Sequence, residues 1–157
     1  MDEFNRVNPQ MPGKPIRRPR YAGRCTGAFG EEPRMRRTIF IDPNGKRGMS
    51  GELFEAGDSP NGATVLLPHI WGLDADMAAH AERLAATGTR VLVPDLFWRD
   101  GRDALDRNDA SQREAAATRL RAFDVDAGIA DMSVGIEFLR ALARPGGPIT
   151  ALGYCFG

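Results

Sequence analysis

The chain has 157 residues, of which 42% are hydrophobic and 27% charged, a composition typical of one globular domain with a hydrophobic core. Lysine plus arginine and aspartate plus glutamate number 21 each, so the formal net charge is zero. No apolar run approaches the roughly 18 residues that cross a bilayer, and no apolar signal-peptide core is present. These features exclude a membrane-spanning segment and make a cytoplasmic location the expectation.

The first 34 residues differ from the rest in charge and proline content. They contain five of the eleven prolines and no periodic apolar pattern, so we expect a disordered tail. Arg17, Arg18 and Arg20 form a basic cluster in this tail that could alternatively anchor a nucleic acid or a membrane. No aromatic stacking platform or amphipathic helix accompanies the cluster, so neither partner is expected. Residues 35–157 are the predicted domain.

Short β-type runs open this domain. Residues 38–41 and 51–56 flank a turn-rich stretch that contains Asn44-Gly45, which predicts an antiparallel hairpin. Residues 63–67 form a continuous apolar run that ends at Pro68, as is typical of a strand covered on both faces.

A helix and a second buried strand follow. Asp74 is the predicted N-cap of the helix, Gly88 is its left-handed stop, and residues 90–94 are the next strand. The apolar stripe of the helix consists of Leu73, Met77, Ala81, Leu84 and Ala85. A strand–helix–strand unit of this kind predicts parallel strands joined by a right-handed crossover.

Two further helices lead to a third strand-like run at residues 149–152. Ser111 and Glu114 form a capping box that predicts a short helix, and Asp124 is the predicted start of a longer one, which residues 145–148 end. The expected apolar stripe of the longer helix consists of Val125, Ile129, Met132, Ile136, Leu139 and Ala143. Alternating strands and helices predict an α/β sheet with ligand chemistry at the carboxyl ends of its parallel strands.

The last five residues, Gly153-Tyr154-Cys155-Phe156-Gly157, have the form G-x-nucleophile-x-G. Two glycines at this spacing let the chain turn sharply out of a strand and expose the central side chain above the sheet. The alternative is a buried structural cysteine, a frequent fate of a free thiol. The position directly after an apolar strand is the one that a nucleophile elbow requires, and it favours catalysis.

Five segments resemble the dienelactone hydrolase family in the same order along the chain. They are residues 67–73 (LPHIWGL), 93–99 (VPDLFWR), 112–114 (QRE), 122–124 (AFD) and 153–157 (GYCFG). The resemblance covers residues 35–157 and implies an α/β-hydrolase fold, with a mostly parallel sheet and an N-terminal antiparallel hairpin. It also implies hydrolysis of a small carboxylic ester or lactone of the dienelactone type by a Cys-His-Asp triad without a cofactor.

By this resemblance Cys155 is the nucleophile, which attacks the carbonyl carbon and forms a thioester. The implied oxyanion donors are the backbone N–H groups of Ile70 and Phe156. Alternatively, Ile70 is an ordinary loop residue that covers the core.

Arg99 matches an arginine that binds the substrate carboxylate in the family's namesake, a role that suits its planar, permanently charged fork. A surface arginine among mixed charges can, however, be merely solvated. Three aromatic residues stand near the predicted strand ends, and they could line a substrate pocket or close the core: Trp71, Phe97 and Trp98.

The two histidines are predicted to differ in role. The namesake has a glutamate at the position of His69 that keeps the resting thiol neutral, so this chain departs from the family there. His69 could polarise the Cys155 thiol, donate to substrate, or hydrogen-bond a loop carbonyl. His80 lies within the first predicted helix, and we expect it to be an ordinary surface residue away from the strand ends.

The triad of an α/β-hydrolase follows the chain order nucleophile, acid, histidine, so both partners of Cys155 are expected beyond Gly157. We therefore expect a truncated N-terminal part of such a domain, inactive alone, with residues 149–152 as an apolar edge. Cys25 and Cys155 match neither a disulfide framework nor a metal-binding pair, and no metal or cofactor is expected. Two alternatives remain, a related α/β-hydrolase acting on other esters or thioesters and a catalytically silent α/β binding module.

Overall fold

A computed structural model describes residues 34–41, 48–57, 60–101 and 104–157. The strands are β1 (Arg34–Ile41), β2 (Met49–Ala56), β3 (Gly62–Leu67), β4 (Thr89–Pro94) and β5 (Ile149–Gly153). They form one sheet in the order β1-β2-β4-β3-β5. Residues 1–33 of the predicted tail, with the basic cluster and Cys25, lie outside the described residues, as does the Asn44-Gly45 turn.

The sheet combines an antiparallel hairpin with three parallel strands. β1 pairs antiparallel with β2, and β2 pairs antiparallel with β4. β3 pairs in parallel with both β4 and β5, which confirms the predicted α/β architecture. β1 begins at Arg34 rather than at Thr38, because polar cross-strand pairs extend it. Glu52 accepts from Thr38 Oγ1 over 2.8 Å and from Arg36 Nε over 3.2 Å.

The helices are α1 (Ala75–Ala85), α2 (Ala110–Arg121) and α3 (Val125–Leu142), and a 3₁₀ turn covers Trp98–Asp100. Asp74 and Asp124 cap α1 and α3 as predicted, each accepting a backbone N–H over 3.0 Å. The predicted Ser111 cap of α2 is wrong. Asp109 is the N-cap and accepts from both the N–H and the hydroxyl of Ser111, because a carboxylate is the stronger acceptor. None of the described helices is long and apolar enough to cross a membrane.

Two apolar clusters lie on opposite faces of the sheet. The α1 cluster consists of Phe54, Leu66, Met77, Ala78, Ala81, Ala85, Val91 and Val93. The α3 cluster consists of Ile41, Met49, Leu53, Ala63, Val65, Leu67, Leu92, Leu96 and Leu139. β3 contributes to both, since Val65 and Leu67 enter the α3 cluster and Leu66 between them enters the α1 cluster. The prediction that this strand is covered on both faces is therefore confirmed.

The buried face of α3 differs from the predicted apolar stripe. Val125 and Ile129 are 61% and 51% exposed, whereas Gly128 and Gly135 are buried. A β-carbon on Gly128 would lie 2.6 Å from Cε1 of Phe123, so the aromatic ring occupies the space that a side chain would take. Periodicity of apolar side chains does not detect a face built on glycine, which is why the predicted stripe is displaced.

Gly128→Ala is expected to lower the free energy of unfolding by about 1–3 kcal/mol, because the added methyl group overlaps the Phe123 ring. Gly135→Ala on the same helix is the matched control, because its β-carbon would lie 3.5 Å from Leu92, an ordinary contact. Alanine favours a helix over glycine by about 1 kcal/mol, so this second variant should be stabilised. Urea denaturation of the protein from its complete open reading frame measures both changes. Equal effects at the two positions would contradict the close approach at Gly128.

Candidate active site

Three loops follow the carboxyl ends of the parallel strands. They are residues 69–73 after β3, 95–99 after β4 and 154–157 after β5. Leu67 and Gly153 are aligned at the ends of β3 and β5, and the Tyr154 N–H donates to the Leu67 carbonyl over 3.2 Å. The loop after β3 and the turn after β5 therefore lie side by side.

Cys155 has the backbone conformation expected of a nucleophile elbow. Its φ is 55°, and it is the one non-glycine residue with positive φ in the part of the chain that the structure describes. A left-handed conformation costs a residue with a β-carbon about 1–2 kcal/mol, so the surrounding structure has to enforce it. The thiol is free and exposed within residues 1–157, which favours the nucleophile over a buried structural cysteine.

Contacts of Gly153 and Gly157 enforce this turn. The Gly157 N–H donates to the Tyr154 carbonyl oxygen over 3.0 Å and closes the turn around Cys155. A β-carbon on Gly153 would collide with the Gly157 carbonyl group, and one on Gly157 would lie 2.5 Å from Leu67 Cβ. Both positions therefore require glycine, as the sequence pattern indicates.

Ile70 and Phe156 occupy equivalent positions in these two loops, since each lies three residues beyond the last aligned pair of β3 and β5. The Gly72 N–H donates to the His69 carbonyl over 3.0 Å and closes a turn that leaves the Ile70 N–H unused. Within the described ranges, no backbone hydrogen bond engages the N–H of Ile70 or of Phe156. Two unengaged donors at one edge are what an oxyanion hole requires, and the assignment stays a prediction.

His69 contacts Arg107 and Asp74. Its Nε2 is 3.2 Å from Arg107 Nη2 and 3.5 Å from Asp74 Oδ2. A guanidinium only donates, so Nε2 accepts and a neutral imidazole carries its proton on Nδ1. Among the described residues this buried Nδ1 has no hydrogen-bond partner. Neither ring nitrogen bonds a loop carbonyl among the described residues, so that alternative is wrong, and the Arg107 guanidinium donates to Nε2 instead.

Asp74 connects the loop after β3 to α1 and to Arg107. Its carboxylate caps α1 and accepts from Arg107 Nη2 over 2.6 Å. The Leu105 N–H donates to the Trp71 carbonyl over 2.8 Å, so the segment around Arg107 also fixes the backbone next to Ile70. Burial opposes ionisation of Asp74, but the hydrogen bonds from Arg107 and from the α1 backbone outweigh it and lower the pKa of Asp74 below its ordinary value.

Arg99 follows β4 and is already paired with a carboxylate. Its guanidinium donates to both oxygens of Asp131, a buried residue of α3. Trp98 Nε1 donates to the same carboxylate over 3.0 Å, and the Arg99 guanidinium lies 4.3 Å from the centre of the Trp98 ring. The alternative of a merely solvated arginine is therefore wrong. The Arg99 side chain is nevertheless 48% exposed and remains accessible from solvent.

The three aromatic residues of the expected pocket differ in burial. Phe97 is 3% exposed, and its ring centre lies 5.5 Å from that of Phe156, so it belongs to the core. Trp71 and Trp98 are half-buried at the ends of their strands. These two tryptophans stay candidates for substrate contact.

The expectation that His80 lies away from the strand ends is wrong. Its Nε2 is 2.6 Å from the hydroxyl of Tyr154, and the two ring centres are 4.8 Å apart. The sequence does contain a signal, because His80 stands three residues after Met77 and four before Leu84, on the apolar stripe of α1. Asp131 was missed as well, since no motif contains it.

The described ranges contain no group of three or more histidine, cysteine, aspartate or glutamate side chains placed to bind a metal ion. The charged groups near the strand ends form ion pairs with one another.

Comparison with known proteins gives a match to a family model, described as the dienelactone hydrolase family, over residues 49–157. Carboxymethylenebutenolidase 1 from Cupriavidus pinatubonensis is 37% identical over 94 residues, which are 59% of this chain and 40% of the relative. A carboxymethylenebutenolidase from Pseudomonas putida is 33% identical over 100 residues, which are 63% of this chain and 42% of the relative. The chain thus spans about 40% of the length of these relatives.

A crystal structure of a provisionally assigned dienelactone hydrolase from Klebsiella pneumoniae subsp. pneumoniae matches with a TM-score of 0.60 and 17% sequence identity. The match covers 79% of this chain and 51% of that chain. At this identity the likeness concerns the fold alone, and together with the family match it confirms the predicted α/β-hydrolase fold.

Asp74→Asn is expected to lower the free energy of unfolding near neutral pH, because asparagine still caps α1 but cannot form the ion pair with Arg107. Because the pKa of Asp74 is lowered in the folded protein, the ionised carboxylate stabilises the fold. This contribution is fully present above the pKa of an unfolded aspartate, about 4, and is lost as the pH falls below that value. The difference between wild type and variant should therefore shrink between about pH 5 and pH 3. Urea denaturation across this range measures it.

Asp124→Asn is the matched control, because Asp124 caps α3 and has no ion pair within the described residues. It should change stability little at any pH in this range. A loss in Asp74→Asn that stays constant down to about pH 3 would contradict the ion-pair explanation.

Proposed function

Because the chain belongs to the dienelactone hydrolase family, whose model matches more than half of it, we propose that the complete protein hydrolyses small carboxylic esters or lactones through Cys155. The observation that carries this proposal is the exposed thiol of Cys155, in a left-handed conformation at the end of a parallel strand. The relatives named carboxymethylenebutenolidase support a lactone of the dienelactone type as the substrate class.

In the proposed reaction the Cys155 thiolate attacks the carbonyl carbon of the substrate. The tetrahedral intermediate then collapses, which breaks the C–O bond and leaves a thioester on the cysteine, while the departing oxygen takes a proton from the triad histidine. The N–H groups of Ile70 and Phe156 stabilise the oxyanion, and loss of one such donor typically lowers the rate by about 100-fold or more. Water hydrolyses the thioester and restores the thiol.

The acid and the histidine of the triad follow the nucleophile in the chain order of this fold. We place them in the part of the relatives that has no counterpart in residues 1–157, because the chain covers about 40% of their length. Residues 1–157 then supply the nucleophile and the oxyanion donors and are inactive alone.

His69 is the proposed partner of the thiol or of the substrate. Its buried Nδ1–H has no partner among the described residues, which supports a role as donor to a thiolate or to a substrate oxygen. Because Arg107 donates to Nε2, His69 in this state donates through Nδ1 and stabilises a negative charge, and it does not act as a general base.

Arg99, Trp71 and Trp98 are the proposed substrate contacts. A guanidinium has five N–H donors, and Asp131 accepts from one N–H on each terminal nitrogen, so Arg99 can still bind a substrate carboxylate. This favours an acidic lactone or ester. The pairing with Asp131 also favours a second candidate, a hydrolase of neutral esters, because it neutralises much of the charge of Arg99.

Cys155→Ala and Cys155→Ser are each expected to lower the rate of dienelactone hydrolysis by at least about a thousandfold, because neither side chain forms the thiolate. The assay follows the ultraviolet absorbance of the lactone with protein from the complete open reading frame. Cys25→Ser is the control, because it removes the other thiol of the chain, and it should keep wild-type activity. Full activity in Cys155→Ala would exclude the proposed mechanism.

Arg99→Met is expected to raise KM for an acidic dienelactone about tenfold or more, and to change KM for a neutral aryl ester by less than about twofold. The reason is that charge-assisted hydrogen bonds from Arg99 act on the substrate carboxylate alone. Arg121→Met is the control, because Arg121 is an exposed arginine of α2 paired with Glu114. An equal rise of KM for both substrates would show that Arg99 acts by supporting Asp131 and not by binding substrate.

A further inference from the structure

Cys155 lies between two aromatic residues that pack on opposite faces of the sheet. Phe156 packs against the α3 cluster, and its ring centre is 4.7 Å from that of Phe123. Tyr154 packs against the α1 cluster and meets the ring of His80 edge-on. The two rings therefore restrain the peptide groups on both sides of the nucleophile.

The contact between Tyr154 and His80 includes a short hydrogen bond. The Tyr154 hydroxyl oxygen is 2.6 Å from His80 Nε2, and Arg83 Nη2 is 3.2 Å from His80 Nδ1. Because a guanidinium only donates, Nδ1 accepts from Arg83, and the imidazole proton is on Nε2, which donates to the Tyr154 oxygen. Arg83 thereby favours the tautomer that binds Tyr154.

This hydrogen bond connects α1, the helix that follows the loop of Ile70, to the residue before Cys155. His80 belongs to α1, which begins soon after the loop of Ile70, whereas Tyr154 directly precedes Cys155. A left-handed conformation is intrinsically unfavourable for cysteine, so it persists where neighbouring contacts enforce it. The Tyr154 carbonyl closes the turn by accepting from the Gly157 N–H, so a displacement of Tyr154 alters the turn directly.

We propose that His80 is a positioning residue for the nucleophile, which by donating to Tyr154 keeps the Cys155 thiol aligned with the oxyanion donors. The inference rests on the proposed function of Cys155 and assigns a role to a helix residue that touches no reacting atom. Loss of such a residue lowers kcat and leaves KM nearly unchanged, because a misaligned thiol attacks more slowly while the substrate contacts remain.

His80→Asn and His80→Gln distinguish the contribution of Nδ1 from that of Nε2. The amide nitrogen of asparagine reaches about as far as Nδ1 and that of glutamine about as far as Nε2, so glutamine alone of the two can donate to Tyr154. In protein from the complete open reading frame, assayed with an aryl ester, His80→Asn should lower kcat about five- to tenfold with KM changed less than about twofold. His80→Gln should restore most of this loss.

Tyr154→Phe removes the other partner of the hydrogen bond. It should lower kcat as much as His80→Asn does, and the double variant should be no slower than either single variant, because both changes break the same interaction. Additive losses in the double variant would show that the two side chains act independently, which would overturn the proposal.

Alkylation of Cys155 by iodoacetamide gives a readout that needs no substrate. Peptide mass spectrometry follows Cys155 separately, with Cys25 as the internal reference. We expect His80→Asn and Tyr154→Phe to slow alkylation of Cys155 about threefold, because the thiolate loses its alignment with the N–H groups of the turn. If wild type hydrolyses no ester but alkylation still slows in both variants, the proposed function fails and the positioning role of His80 stands.

Leu84→Ala is the control for an indirect effect of weakened α1 packing. Leu84 packs against the α1 cluster one turn from His80, and its truncation removes apolar contacts without removing a hydrogen bond to the elbow. All variants are assayed well below their unfolding temperatures. The positioning role is excluded if Leu84→Ala lowers kcat and alkylation as much as His80→Asn does, or if His80→Asn leaves both rates unchanged.

Discussion

The close approach of the turn after β5 to the end of β3 governs the geometry of the candidate active site. Gly157 lies so near Leu67 and Gly153 that a β-carbon fits on neither glycine, and the resulting turn gives Cys155 a φ of 55°. Strand pairing restrains the residues before this turn, and an aromatic ring on each side restrains its flanks. Because those two rings pack in different clusters, the position of the thiol depends on the helices of both layers and not on the local turn alone.

Ion pairs make the positions of the neighbouring loops depend on helices that are distant in sequence. Arg107 joins its own loop to Asp74 at the start of α1, and Arg99 joins the loop after β4 to Asp131 in the middle of α3. Asp74 caps α1, and Asp131 lies on the buried face of α3. In both cases a charge-assisted hydrogen bond attaches a loop to a rigid helix. Loops that carry chemistry need such attachment, because a displacement of about 1 Å at a reacting group can lower a rate about a hundredfold.

The strands, the caps of α1 and α3 and the glycine turn around Cys155 could be predicted because each depends on a few neighbouring residues. An apolar run of strand length, a carboxylate before a helix such as Asp124, and glycines around a nucleophile are local patterns. The errors at α3 and at His80 occur where a partner outside the helical pattern decides the outcome. Gly128 is buried because the ring of Phe123 occupies the space above it, and His80 reaches Tyr154, which lies 74 residues later in the chain. Neither partner is visible from the helical pattern, although the place of His80 on an apolar stripe indicates that it is at least partly buried.

The pairing of Arg99 with Asp131 determines how an acidic substrate can be recognised in the proposed function. A guanidinium that already donates to a carboxylate produces little net field at a distance, so it contributes little to steering an anion toward the site. It can still donate over a short range from the N–H groups that Asp131 leaves unused, beside the face of Trp98, which the same carboxylate orients. Recognition then depends on hydrogen-bond geometry, and a neutral ester meets no unpaired charge that it would have to desolvate. Under the proposed function, selectivity between acidic and neutral substrates depends on whether a carboxylate reaches Arg99 while the ester carbonyl reaches Cys155. Selectivity is then a property of the same strand-end geometry that positions the thiol.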